Sequence, residues 1–305
     1  MIAVARGSGG GRTLLLNGHT DTVGLGGPRG GLDPIVEDGR LYGRGSYDMK
    51  GGLVAAMLAA SRVRSLRGDV IVAAVADEEY ASVGTEALAR GVRADFAIVC
   101  EPTEEQVGIA HKGFAAFEIE TRGVAAHGSR PDLGVDAIAR MGRVLVRIEQ
   151  LDGRLRAAPT DVRLGSGSLH ASLIEGGQEY SSYPAQCVVR GERRTVPGET
   201  VALVEDELRA LLEGVDGDAR VVFAREPFAI DETERIVDAV RRHSGGRLEG
   251  FFGWADSALL AAAGIPTVLF GPRGAGAHAE EEWVELVSVE RCADVYLAVA
   301  EELCA

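Results

Sequence analysis

Three short, continuously apolar runs in this chain each lead into residues of the kind that bind metals. Thr13-Leu14-Leu15-Leu16 leads into Asn17-Gly18-His19-Thr20-Asp21, residues 70–76 lead into Asp77-Glu78-Glu79, and Phe96-Ala97-Ile98-Val99-Cys100 leads into Glu101. Runs of this kind are what strands covered by helices on both faces look like. Ligand sites in open α/β sheets collect just beyond the carboxyl ends of such strands. A fourth carboxylate, Asp48, lies in Gly43-Arg44-Gly45-Ser46-Tyr47-Asp48-Met49-Lys50-Gly51-Gly52, ahead of an apolar helical stretch over 53–60. The sequence therefore offers His19, Asp48, Glu78, Glu79 and Glu101 to one crevice.

Up to about residue 110 the pattern alternates buried strand and helix, which predicts a mainly parallel sheet. The texture then changes. Residues 115–121 alternate as a half-exposed strand does, 135–151 carry the 3.6 period of an amphipathic helix, and 169–174 and 186–192 read as two more strands. A helix over 200–212 and a strand over 219–224 complete a β-α-β-β-α-β order, the signature of a ferredoxin-like unit. After Pro227 the α/β pattern returns, with helices over 232–243 and near 256–263 and a buried strand at Thr267-Val268-Leu269-Phe270. The expected fold is α/β: a catalytic domain with a helix-flanked, mainly parallel sheet, formed by 1–110 and 227–305 and interrupted by a ferredoxin-like domain over 111–226.

Composition excludes several functions. With 305 residues, 46% of them hydrophobic, the chain can bury a sizeable core. A formal charge of −14, from 32 basic against 46 acidic residues, argues against a phosphate-binding surface. Part of that acidity, such as Glu280-Glu281-Glu282, reads as ordinary solvated surface. No apolar stretch approaches the roughly 20 residues needed to span a bilayer, and the amino terminus lacks the features of a secretory signal, so a cytoplasmic location is expected. Cys100, Cys187, Cys292 and Cys304 are too scattered for a zinc knuckle or a disulfide framework and read as buried thiols.

The donor types narrow the chemistry. Imidazole together with carboxylates suits zinc, cobalt or manganese, whereas an all-oxygen set suits calcium or magnesium. Adjacent Glu78 and Glu79 point different ways at a strand end, so one can ligate metal while its neighbour acts as general base. Asp48 reads either as a helix N-cap or as a carboxylate bridging two ions about 3.5–4 Å apart. His278, in the glycine-rich turn after the last buried strand, reads as a ligand; His170 and His243 read as surface or structural residues, and His111 as lying at the domain junction.

Six segments in this order resemble the dinuclear zinc aminoacylases, deacylases and carboxypeptidases, the family of acetylornithine deacetylase, succinyl-diaminopimelate desuccinylase and glutamate carboxypeptidase. They are 17–23, 42–52, Ala76-Asp77-Glu78-Glu79, Glu101-Pro102-Thr103, Ala126-His127-Gly128-Ser129-Arg130-Pro131 and Ala277-His278. The resemblance implies that His19 and Glu101 hold one metal, Glu79 and His278 the other, and Asp48 both. It makes Glu78 the general base that later delivers a proton to the leaving amine, and Asp21 the group that orients His19. The inserted domain would be a lid and dimerisation module, its His127 reaching the neighbouring subunit's site to stabilise an oxyanion. Arg194 matches an arginine associated with the substrate carboxylate, and Ser181 stands where the family often has a substrate-binding asparagine. Family members usually begin several dozen residues earlier, so the short amino terminus is expected to expose a sheet edge.

The leading expectation is a two-metal hydrolase, a homodimer through its lid, cleaving the amide of an N-acyl amino acid or small peptide. One alternative is a non-catalytic relative that binds metal or a small molecule; another is a mononuclear or magnesium-type enzyme.

Overall fold

The computed structural model describes residues 1–305, except for the side chain of Pro28. The chain divides into two compact units. One comprises Met1–Ala110, Ala229–Phe251 and Ala255–Ala305; the other comprises His111–Phe228 and Phe252–Trp254. The return of 252–254 to the inserted unit is marked by no change of composition.

The larger unit is built on a sheet in which Ile2–Ala5, Val70–Val75, Leu14–His19, Phe96–Val99, Thr267–Leu269 and Val107–His111 follow one another by hydrogen bonding. Leu14–His19 runs parallel to both neighbours, with Leu14 opposite Val70 and Phe96 and His19 opposite Val75. Thr267–Leu269 continues the parallel run beside Phe96–Val99. The outermost strand, Ile2–Ala5, pairs antiparallel with Val70–Val75. Because successive side chains alternate between faces, Leu14, Leu16, Val70, Val72, Phe96 and Ile98 join one apolar cluster with residues of the helices Gly51–Arg62, Arg235–Ser244 and Leu286–Leu303. Leu15, Ala73 and Ala97 are equally buried on the opposite face, where Val83–Gly91 and Ser257–Ala262 pack. Burying each leucine contributes about 1.5–3 kcal/mol.

Helix Gly51–Arg62 approaches the sheet closely. A Cβ on Gly52 would lie 2.0 Å from the carbonyl oxygen of Cys100, the residue before Glu101, so only glycine permits this packing. A small antiparallel sheet, Gly274–Ala275, Trp283–Glu285, Arg40–Tyr42 and Ile35–Glu37, brackets the segments that carry Asp48 and His278.

The inserted unit has the order Gly113–Arg122, helix Ala137–Ala157, Ser168–Gly176, Gln186–Thr195, helix Val201–Leu211, Gly217–Arg225. Its antiparallel sheet places Gly217–Arg225, Gly113–Arg122, Gln186–Thr195 and Ser168–Gly176 side by side in that order. Ala115, Phe117 and Ile119 point to one face, against Met141, Val144 and Ile148 of the first helix and Val204 and Leu208 of the second. The helices start at side-chain caps: Asp136 Oδ1 accepts from the Ala139 amide at 2.9 Å and Thr200 Oγ1 from Leu203 at 3.3 Å. This is the ferredoxin-like β-α-β-β-α-β arrangement.

Candidate metal centre

The parallel register decides what gathers at the carboxyl ends of the strands. His19 is the last residue of its strand and is almost completely buried. Its Nδ1 lies 3.0 Å from the main-chain carbonyl of Asp21, against 3.7 Å from the Asp21 carboxylate. The carbonyl thus accepts the Nδ1 proton and leaves Nε2 free to face the acids. Asp21 Oδ2 instead accepts from the Glu79 amide at 3.1 Å, so this residue fixes the ring with its backbone and the Glu78-Glu79 turn with its side chain.

Three carboxylates face His19 Nε2: Asp48 Oδ1 at 3.3 Å, Glu78 Oε2 at 3.9 Å and Glu101 Oε1 at 3.9 Å. On the other side, His278 Nε2 lies 3.0 Å from Glu79 Oε2 and 3.5 Å from Asp48 Oδ2. Asp48 therefore turns one oxygen to each histidine. It caps no helix, because the helix Gly51–Arg62 begins after Lys50.

The donor set fits a divalent cation. His19, Asp48 and Glu79 present ligand atoms within 4.8 Å of one another, and so do His19, Glu78 and Glu101. Without a cation the acids crowd. Burial first, then neighbouring carboxylates, push Glu78, Glu79 and Glu101 above the usual carboxylate range. Burial acts the same way on Asp48, but its hydrogen bonds to His19 and His278 outweigh it and hold this carboxyl low. For His19, burial opposes protonation, yet the Asp48 bond and the charges of Glu101 and Glu78 carry it up to about 10.

Glu282 overturns the expectation of a solvated acidic run. Its side chain is buried and forms an ion pair at 2.7 Å with the equally buried Arg44. Its two oxygens also accept from the amides of Gly45, Tyr47 and Asp48 at 2.9, 3.0 and 2.9 Å. Reading Glu280-Glu281-Glu282 as one class fails because only the third residue follows the turn inward, directly before the strand Trp283–Glu285. Asp256 is a second buried acid that composition does not distinguish. Thr85 Oγ1 donates to its Oδ2 at 2.6 Å, and Asn17 Nδ2 lies 3.4 Å from the same oxygen. Burial raises the pKa of Asp256, and its charge is in turn the largest carboxylate influence on Glu78.

The remaining predicted residues belong to the inserted unit. His127 Nδ1 is 2.8 Å from Ser129 Oγ, and its backbone bridges Ser182. The Gly128 amide donates to the Ser181 carbonyl at 2.6 Å, so His127 and Ser181 lie on adjoining turns. Arg194 lies apart from them on Gln186–Thr195, paired with Glu192 at 2.6 Å and with its guanidinium 5.3 Å from the centre of the Phe114 ring. His170 is exposed, and His243 pairs with Glu302 at 2.8 Å. All four cysteines are buried free thiols. Among the described residues no helix is long and apolar enough to cross a membrane.

A mainly parallel sheet that gathers an imidazole and carboxylates at its carboxyl ends, in a chain with a ferredoxin-like insertion, forms a candidate metal centre. The chain belongs to peptidase family M20/M25/M40, whose profile matches residues 15–302. It is similar to acetylornithine deacetylase of Myxococcus xanthus, 30% identical over 320 residues covering 100% of this chain and 84% of that one. Acetylornithine deacetylase of Proteus mirabilis is 31% identical over 322 residues, covering 100% and 82%. The same fold occurs in a Staphylococcus aureus tripeptidase, with a TM-score of 0.81, 19% identity and coverage of 99% and 84%. It occurs again in a Bacillus subtilis dinuclear metal binding peptidase of the M20 family, with a TM-score of 0.74, 17% identity and coverage of 99% and 84%.

Proposed function

We propose that this protein cleaves the amide bond of an N-acyl amino acid or small peptide at a pair of divalent ions, zinc by preference and cobalt or manganese as alternatives. The observation that carries the reading is Asp48, whose two oxygens face two different histidines at 3.3 and 3.5 Å. His19 and Glu101 would hold one ion and Glu79 and His278 the other, with Asp48 shared between them. When bound, such ions would supply Lewis acidity to the scissile carbonyl and to the attacking water. Glu78 takes the proton from the attacking water and returns it to the leaving amine. The Asp21 carbonyl keeps His19 in the tautomer whose Nε2 faces the carboxylates. His127 donates to the developing oxyanion, Arg194 receives the substrate carboxylate with its planar fork, and Ser181 donates one hydrogen bond to substrate.

The relatives named acetylornithine deacetylase support the deacylase form of this reading. In the same scheme the inserted unit, residues 111–226 by sequence, is a lid through which two copies associate, His127 serving the partner's site in the cytoplasm. Light scattering tests the association: a dimeric mass is expected, and a monomer at working concentration refutes it.

The function is tested by measuring metal content together with hydrolysis of N-acetyl, N-succinyl and dipeptide substrates, with and without zinc, cobalt or manganese. About two ions per chain and metal-dependent release of amine are expected. A folded protein with stoichiometric metal and no turnover across the panel would instead be a binding protein.

A further inference from the structure

We infer that the buried Arg44–Glu282 pair is a positioning device for one half of the metal centre, holding Asp48 and the His278 loop so that the second ion can bind. The inference rests on the two-ion reading proposed above.

Two independent sets of contacts converge on the pair. Glu282 Oε1 accepts from the amides of Tyr47 and Asp48, while Oε2 accepts from the amide of Gly45 and from Arg44 Nη1. The carboxylate thus clasps the backbone on which Asp48 is mounted. Arg44 spends its other donors elsewhere: Nε reaches the Gly24 carbonyl at 3.0 Å, and Nη2 reaches the carbonyl of Ala279, the residue after His278, at 2.5 Å. Arg44 therefore ties the Asp48 segment to the His278 loop. That loop needs holding, since His278 has a φ of 62°, a left-handed conformation rarely adopted outside glycine. His278 is also half-exposed, so packing alone does not fix it.

The two halves of the centre differ in what supports them. His19 and Glu101 end or follow strands locked in parallel register, and His19, Glu78 and Glu101 form a donor group that does not include Asp48. Asp48 and His278 lie outside that sheet, on segments joined by the pairing of Arg40–Tyr42 with Trp283–Glu285 and, next to the donors themselves, by one buried guanidinium and one buried carboxylate. A planar fork that reaches the Gly24 carbonyl, the Ala279 carbonyl and the Glu282 carboxylate at once is geometry that arginine has and lysine lacks. Loosening the pair should therefore weaken the ion held by Glu79, Asp48 and His278 more than the one held by His19 and Glu101, which loses only its share of Asp48 and keeps two ligands on the sheet.

The test is a cobalt(II) titration of metal-free protein, counting ions by absorption and by calorimetry, for wild type, Glu282→Gln and Arg44→Lys. Glutamine offers one acceptor oxygen where four donors converge; lysine keeps the charge but reaches fewer partners. Two ions are expected for wild type, and for both variants a first ion weakened only slightly and a second weakened by about tenfold or more, the effect of a misplaced ligand support. Arg44→Lys supplies the reading if Glu282→Gln does not fold. Variants that bind both ions like wild type, or lose both in parallel, overturn the inference; so does a failure of both variants to fold, which would make the pair a stability element. Wild type binding fewer than two ions is a separate result that overturns the two-ion reading itself.

Discussion

Replacing Glu78 with glutamine isolates proton transfer from metal binding. The two side chains are nearly equal in volume, and the position is largely buried, so the crevice keeps its shape. What changes is that an amide cannot take a proton from the attacking water. General-base assistance contributes about 10²- to 10⁴-fold, which is about 2.7–5.4 kcal/mol of activation free energy at about 1.36 kcal/mol per decade. The structure points to the upper end, because the three other carboxylates that face the histidines are each engaged. Glu79 is engaged with His278 at 3.0 Å, Asp48 is shared between two histidines, and Glu101 is buried beside His19. Glutamine also removes one negative charge from a crowded cluster, so the melting temperature of the metal-free protein should not fall. The assay is steady-state hydrolysis of the best substrate in the panel, with metal content and thermal unfolding measured on the same samples. A kcat reduced by about 10⁴-fold with wild-type metal content is expected. Turnover within tenfold of wild type would refute Glu78 as the base, and loss of metal would make it a ligand instead.

His127→Ala should lower kcat by about 10²-fold or more while leaving metal content unchanged, read by the same hydrolysis assay and metal analysis; unaltered turnover excludes it as an oxyanion donor. Gly52→Ala places a Cβ against the Cys100 carbonyl and must push the helix Gly51–Arg62 off the strand that leads to Glu101. A loss of about 1–3 kcal/mol in denaturant unfolding is expected, and wild-type stability would show that the helix can shift freely. Burial pushes the Cys100 thiol up to about 12 and that of Cys304 up to about 11, so at pH 8 both remain protonated as well as enclosed. A thiol reagent should label no cysteine of the native protein and all four after unfolding; rapid native labelling would show that one of these sites opens.

The strand ends and the ligands that follow them were legible in the sequence because local pattern alone encodes them. Leu14-Leu15-Leu16 is buried on both faces, and a run of that kind that ends in His19 delivers the imidazole to the carboxyl end of the sheet. The alternation in Gly113–Arg122 and the helical period of Ala137–Ala157 likewise specified the ferredoxin-like insertion. Its return at 252–254 was not legible, because three residues carry no period.

The metal centre divides in the same way. The sequence by itself determined which donors are present, since imidazoles and carboxylates at strand ends announce themselves by type and position. Only the tertiary structure decided how they are aimed. Asp48 looks as much like an N-cap as a ligand until its two oxygens are seen facing His19 and His278, which lie far apart in the chain. Asp21 steadies His19 through a carbonyl that every residue possesses. Glu282 sits in an acidic run identical in letters to solvated surface and becomes the acceptor for three amides and a guanidinium only when the chain folds it inward. The roles of Asp48 and Glu282 depend on contacts with residues more than two hundred positions away, and that of Asp21 on a backbone conformation, and no local pattern records either.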